Sequence, residues 1–315
     1  MDISNHKDIT IGIDVSKQRL DVFVRPTGET FYVINTPEGI STAIKRCRAI
    51  SPARIVVEAT GWLESTFVDA AHQAGLPIVV ANPTQVRRFA QATGRLAKTD
   101  RIDARMLADL GARLRPDPST PGEPERMRLG ELGRRRDQLV DQRAAEKVRK
   151  QETGGDDLVL ARLEAHIAWL DTEIARLDAA IAALIAESRA LKTEADLLRT
   201  VPGIGKVTAT ALLSLMPELG RRRPGQIAAL AGLAPFNADS GQLKGVRRIQ
   251  GGRRRVRKAL YMAAVTAARS NSRFKTLYQR LTAAGKPAKL AFIAVARKLL
   301  ITLNAIVRDQ KPYHP

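Results

Sequence analysis

The sequence is poor in the residues from which many enzymes build their sites. A single cysteine, Cys47, in 315 residues excludes a disulfide framework and any multi-cysteine zinc site, and points to a reducing compartment. Four histidines, His6, His72, His166 and His314, are scattered and lack HExxH spacing, which argues against a histidine-ligated zinc enzyme. Aromatic residues make up 4% of the chain, too few for base stacking on an aromatic platform to be the main binding mode. No apolar run reaches the roughly 18 residues of a membrane helix. The opening MDISNHKDITIGIDV passes straight into an alternating strand with no signal-peptide core, so a cytoplasmic protein without a membrane partner is expected.

Acidic residues are scarce in one part of the chain only. Residues 1–110 carry 14 basic and 12 acidic side chains and residues 111–200 carry 16 and 17, whereas residues 201–315 carry 22 basic residues against Glu218, Asp239 and Asp309. Nearly all of the net charge of +20 therefore belongs to the last third. Within it, residues 221–258 hold eleven basic residues and one acid, including Arg221, Arg222, Arg223 and the run GGRRRVRK at 251–258. Unmixed positive charge interleaved with glycine is the footprint of phosphate-backbone binding, in which each neutralised phosphate releases counterions. A solubilising face would mix its signs, and a membrane-surface helix would carry an apolar face.

Hydrophobic content of 44% and charged content of 27% are those of a folded chain, and the length suits about two domains. ITIGIDVSK alternates at period two, and LDVFV and FYVIN follow after turn residues, which predicts an antiparallel meander. A capped helical segment, PEGISTAIKRCRAI, precedes the near-continuous apolar run RIVVEA, a buried parallel strand by its pattern. A helix over 62–74 leads to the strand PIVVANP, and 84–111 reads as helical. The order β-β-β-α-β-α-β predicts an α/β RNase H-like domain over 1–115. The Pro-rich stretch 115–124 reads as a linker. Residues 116–195 then hold a charged helix and a coiled-coil seam of Leu160, Leu163, Ile167, Leu170, Ile174, Leu177, Ile181 and Leu184. That seam fits either a hairpin within one chain or a contact between chains. Residues 196–315 form a basic, mostly helical domain.

Asp14 ends the strand IGIDVS and Glu58 ends RIVVEA; in this strand order the two lie side by side. Asp100 and Asp103, spaced i and i+3 in KTDRIDARM, share one helix face. Four converging carboxylates repel one another unless cations compensate them, and hard oxygen ligands suit Mg²⁺ or Mn²⁺. Such ions can activate an attacking oxygen and stabilise a leaving one in phosphodiester transfer. In VPGIGK, Thr200 replaces the first glycine of a P-loop and no Ser or Thr follows the lysine, so no nucleotide-hydrolysing site is predicted. Gly203 and Gly205 before a helix beginning at Lys206 suggest a helix-hairpin-helix-like turn offering N–H groups to phosphate; a tight helix–helix turn without ligand is the other reading.

GIDVSK around Asp14, VVEATG around Glu58 and KTDRIDA around Asp100 and Asp103 resemble the RuvC-like domain of the DEDD insertion-sequence transposases. RTVPGIGKVTA (199–209), AALAGLAPFNADSG (228–241) and GGRRRVRKAL resemble their second domain. The resemblance covers essentially the whole chain. It implies a bacterial recombinase, nucleoid-associated when bound to DNA, that cuts and joins donor and target DNA. It also implies a catalytic serine at the position matched by Ser240, forming a transient phosphoserine, and guidance by a structured non-coding bridge RNA. The residues themselves mark Ser240 only as a loop serine before basic side chains. Lys244, Arg247, Arg248, Arg253, Arg254, Arg255, Arg257 and Lys258 are the expected nucleic-acid contacts, together with Gly203, Gly205 and Lys206. The coiled coil suggests a homo-oligomer, a dimer or tetramer. Two other readings stay open: a Holliday-junction-type nuclease using metal-activated water, and a non-catalytic nucleic-acid-binding protein.

Overall fold

The computed structural model describes residues 9–59, 61–94, 100–236, 248–270 and 272–314, the side chains of 100–102 and 272 excepted. The chain divides into two units, Met1–Pro121 and Gly122–Pro315.

In the first unit the three alternating segments form β1 (Thr10–Val15), β2 (Arg19–Arg25) and β3 (Thr30–Ile34), an antiparallel meander. The helix α1 (Pro37–Ile50) starts where Thr36 accepts the Gly39 N–H and Pro37 presets the first turn. It leads to β4 (Arg54–Glu58), α2 (Ser65–Gln73) and β5 (Ile78–Ala81). The sheet order is β3-β2-β1-β4-β5, with β4 parallel to both β1 and β5, the RNase H-like layout that the strand order implies. Period two sorts the core by face. Ile11, Ile13, Val15, Ile55 and Val57 pack with Ile44 and Cys47 of α1 and Phe67 of α2. Val56, Val79 and Ala81 pack on the other face with Val86 of α3 (Pro83–Ala92) and Met106, Leu107 and Leu110 of α4 (Asp100–Leu114).

Three segments differ from expectation. The helical stretch 84–111 is two helices, because Gly94 adopts a φ of 70° and the Thr93 hydroxyl bonds back to the Phe89 carbonyl at the end of α3. The helix expected from residue 62 starts at Ser65, since Gly61 and Trp62 both have positive φ. The Pro-rich stretch is tied down at its start: the Ser119 N–H donates to the Ile78 carbonyl at 2.8 Å and Arg54 Nε to the Pro116 carbonyl at 3.1 Å.

The second unit opens with α5 (Pro124–Glu152) and α6 (Asp157–Glu187), which pack as an antiparallel hairpin. Ion pairs Arg136–Asp178, Arg143–Asp171 and Lys150–Glu164 step seven residues up one helix and seven down the other, so the coiled-coil seam is used within the chain. Leu139, Leu170 and Ile174 form a small core inside the hairpin. There follow α7 (Arg189–Arg199), α8 (Lys206–Leu215), α9 (Pro224–Leu230), the short pair β6 (Pro235–Phe236) and β7 (Arg248–Ile249), α10 (Arg254–Ser270), α11 (Ser272–Ala283) and α12 (Ala288–Asp309). Leu129, Ile181 and Leu184 at the root of the hairpin share one core with Leu198, Leu212, Leu260, Leu299 and Leu303. Against the expectation from sequence, α12 is long and apolar enough by composition to cross a membrane. Here it is a core helix, with Ala291, Val295, Leu299, Leu300 and Leu303 fully buried.

Candidate active site

The site in the first unit is set by how closely α4 can approach the sheet. A methyl group on Gly12 would stand 2.0 Å from the Ala104 carbonyl oxygen and 2.4 Å from the Ala108 nitrogen, and one on Gly111 would stand 2.7 Å from the Thr10 methyl and 2.6 Å from a Val56 methyl. Only glycine on the strand, facing alanines on the helix, permits this approach. These pairings also fix direction: β1 runs from Thr10 to Asp14 while the α4 residues above it run backwards from Gly111 to Ala104. An ion pair from Arg25, the register partner of Thr10, to Asp109 at 2.7 Å agrees with that direction. The first turn of α4, which carries Asp100 and Asp103, therefore overlies the Asp14 end of β1.

Asp14 lies two residues beyond Gly12 and Glu58 two beyond Val56, so both leave the sheet on the α4 face. Each directly follows a register pair, Ile13 and Val57, on adjacent parallel strands. Asp14, Glu58 and Asp103 are all half-buried. Among the described residues, no group of three or more His, Cys, Asp or Glu side chains is close enough to hold a metal ion, and the Asp100 side chain lies outside the described residues. The backbone brings the three acids to one edge of one face without drawing their side chains into a finished ligand set. In donor chemistry the set is all carboxylate oxygen, which fits a hard divalent cation. A further acid that sequence reading missed stands beside them: Asp21, 8% exposed, is the register partner of Asp14 and is bonded by Arg19 Nε at 2.8 Å. The pairing of two short strands was the only signal for it.

In the second unit, Ser240, Lys244 and Arg247 lie outside the described residues. The remaining basic candidates divide by what they touch. Arg253 grips Glu218 with both guanidinium nitrogens at 2.6 Å. Arg255 pairs with Asp137 of α5 at 2.7 Å, Lys258 pairs with Asp141 at 3.1 Å, and Arg257 donates to the Gly251 carbonyl at 2.6 Å. Arg253, Arg255 and Arg257 thus have partners within the helical unit, whereas Lys258 and Asp141 form a largely exposed pair. Burial pushes the Glu218 carboxyl up, and the Arg253 bonds and charge outweigh it, leaving its pKa below the ordinary value. Arg248 and Arg254 are exposed and form no ion pair among the described residues.

Arg221, Arg222 and Arg223 are likewise exposed, and none has an ion pair among the described residues. Their loop is pinned. Buried Asn304 of α12 accepts the Gly220 N–H at 2.8 Å and donates to the Arg222 carbonyl at 3.0 Å. Gly220 itself has a φ of 81°, and a methyl group there would meet Val307 at 2.8 Å. Gly203 is also a packing residue, since a methyl group on it would meet the Ala263 carbonyl at 2.7 Å. Gly205 and Lys206 are exposed at the start of α8.

A mixed β3-β2-β1-β4-β5 sheet with acids at neighbouring strand ends, followed by a basic helical unit, defines a two-part nucleic-acid-processing protein with an RNase H-like first domain. Residues 11–153 match the DEDD transposase family of the IS110 type, and residues 195–279 match the transposase IS116/IS110/IS902 family; the chain belongs to this transposase family. It is 29% identical to the pilin gene-inverting protein of Moraxella lacunata over 96% of this chain and 97% of that protein. It is 37% identical to an uncharacterized 42 kDa protein of insertion element IS900 from Mycobacterium paratuberculosis, over 29% of this chain and 23% of that one. A T. thermophilus RuvC solved with a Holliday junction substrate aligns with 35% of this chain and 98% of its own at 17% identity and a TM-score of 0.28.

Proposed function

We propose that this transposase cuts and joins DNA by metal-dependent phosphodiester transfer, with Asp14, Glu58, Asp100 and Asp103 as the metal-holding acids and Ser240 as the nucleophile. The observation that carries the reading is the placement of Asp14 and Glu58 at adjacent parallel strand ends under the first turn of α4. A divalent cation held there would supply Lewis-acid stabilisation of charge on the phosphoryl oxygens. The protein's own part is to hold that acidic edge rigid through the Gly12 contact.

In the proposed transfer, a bond forms between Ser240 Oγ and phosphorus as a DNA phosphoester bond breaks, and the released DNA hydroxyl takes up the proton that the serine loses. One phosphoester replaces another, so rejoining by the reverse step needs no nucleotide cofactor. Donor and target DNA and a bridge RNA are the proposed partners, and the exposed Arg221, Arg222, Arg223, Arg248 and Arg254 of the helical unit suit their phosphates. A homo-oligomer is proposed because Leu158 (67% exposed) and Trp169 (51% exposed) leave apolar surface on α6.

The test is to purify the chain from cells carrying its flanking non-coding DNA, sequence any bound RNA, and supply Mg²⁺ with donor and target DNA. Joining should disappear in Asp14→Asn and Glu58→Gln, and a covalent protein–DNA adduct should disappear in Ser240→Ala. Full joining by Ser240→Ala, or metal-independent cutting, overturns the reading.

A further inference from the structure

Trp62 is held in a backbone conformation that residues with a side chain rarely adopt. Its φ is 102°, directly after Gly61 at 86°, in a region that costs free energy for any residue bearing a Cβ. Local bonds impose it. The Trp62 N–H donates to Glu64 Oε2 at 3.0 Å, and the Trp62 carbonyl accepts the Ser65 hydroxyl at 2.7 Å and the Ser65 N–H at 3.1 Å. This fixed turn holds out a large apolar ring, 52% exposed, beside Leu63 at 42%. About half of the residue's surface therefore stays open to solvent.

Position gives the ring its context. Trp62 is four residues beyond Glu58, and four residues span at most about 14 Å. In a chain where aromatics are scarce, a tryptophan is presented within that reach of Glu58. We propose that Trp62 stacks on a nucleobase of the strand lying at the acidic edge. A stack of this kind needs a base whose face is open, so the preferred substrate is DNA with unpaired nucleotides beside the scissile phosphate, not uninterrupted duplex. Stacking on a base face is tolerant of sequence. The inference rests on the reading that the acids act on DNA.

Trp62 and Trp169 are the two tryptophans of the chain, so a Trp169→Phe full-length protein reports on Trp62 alone. It is titrated with single-stranded DNA, with duplex, and with duplex containing a short unpaired bubble. Trp62 emission is expected to be quenched by the single strand and the bubble and much less by duplex. In the otherwise unaltered chain, Trp62→Ala should weaken binding to the bubble about tenfold and leave duplex binding within about twofold, with Trp62→Phe retaining most of the affinity. Unchanged emission at saturation, or unchanged bubble affinity in Trp62→Ala, overturns the proposal, including the case in which the ring serves a protein partner. Quenching that persists in Asp14→Asn supports it. Quenching in the Trp169→Phe chain, with all four acids intact, when that chain cuts no DNA in Mg²⁺ overturns the catalytic reading and leaves the stack standing.

Discussion

Asp21 stands directly across the antiparallel ladder from Asp14, with Arg19 bonded to it at 2.8 Å. Two carboxylates in opposed positions repel, and Asp21 is 8% exposed, so its charge is supported by Arg19 at the edge where the metal-holding acids are proposed. Removing Arg19 leaves a buried carboxylate facing Asp14. Arg19→Leu should lower unfolding free energy by about 1–2 kcal/mol, measured by urea unfolding at pH 7. Millimolar Mg²⁺ should restore more stability to the variant than to the parent, because a cation takes over the neutralising role. An unchanged midpoint would show that Arg19 only decorates the surface.

The sheet was legible because its strands alternate cleanly: Ile11, Ile13 and Leu20 are fully buried, as period two requires, and so are Ile55, Val56 and Val57 in the continuous run. The α5–α6 hairpin was legible in its seam, though its pairing within the chain became clear only from the heptad-spaced ion pairs. What sequence did not yield is long-range pairing. The partners of Arg253 and Arg255 lie 35 and 118 residues away, so a charge run cannot tell a structural arginine from one that meets phosphate. The same holds for Asp21, whose role depends on strand register, and for Gly12, which resembles any other strand glycine until α4 is seen against it.

Gly12 and Gly111 separate two kinds of close contact. At Gly12 the obstacle is the backbone of α4, 2.0 Å away, whereas at Gly111 it is two side-chain methyl groups. Gly12→Ala should therefore unseat α4, at a cost of about 3 kcal/mol or more, and Gly111→Ala should cost about 1–2 kcal/mol as the methyl groups shift. Cys47 reports on this unit alone: it is fully buried, and burial pushes its thiol up to about 12. In the native parent it should resist alkylation at pH 8. Rapid alkylation in Gly12→Ala and slow alkylation in Gly111→Ala is the expected pattern; equal rates would refute the distinction.

The arginines that differ in their partners should differ in what their loss does. Arg221, Arg222 and Arg223 form no ion pair among the described residues, and Asn304 fixes the loop that carries them. If each neutralises one phosphate, changing all three to Gln should reduce the slope of log affinity against log salt by about 2.7 on duplex DNA, at about 0.9 per phosphate, with little change in unfolding. Arg255→Gln, which breaks the bond to Asp137, should lower stability and leave the salt slope nearly as it was. Salt-dependent binding measured from 50 to 200 mM distinguishes the two; equal slopes in both variants would return Arg255 to the nucleic-acid surface.

The Glu218–Arg253 pair gives the helical unit an acid limit. Burial alone would raise the Glu218 carboxyl, yet the two bonds and the charge of Arg253 hold it below the ordinary value of 4.5. A carboxyl depressed by folding contributes stability that is fully present above its unfolded pKa and is lost as pH falls through its folded pKa. Unfolding of the parent should therefore become easier as pH drops from about 5, and Glu218→Gln should show a shallower loss over that window. Above it the variant should be the less stable of the two, because Arg253 loses its partner. Thermal unfolding of both chains from pH 7 down to pH 3 measures this directly, and parallel curves for parent and variant would mean that Glu218 is not the group that sets the limit.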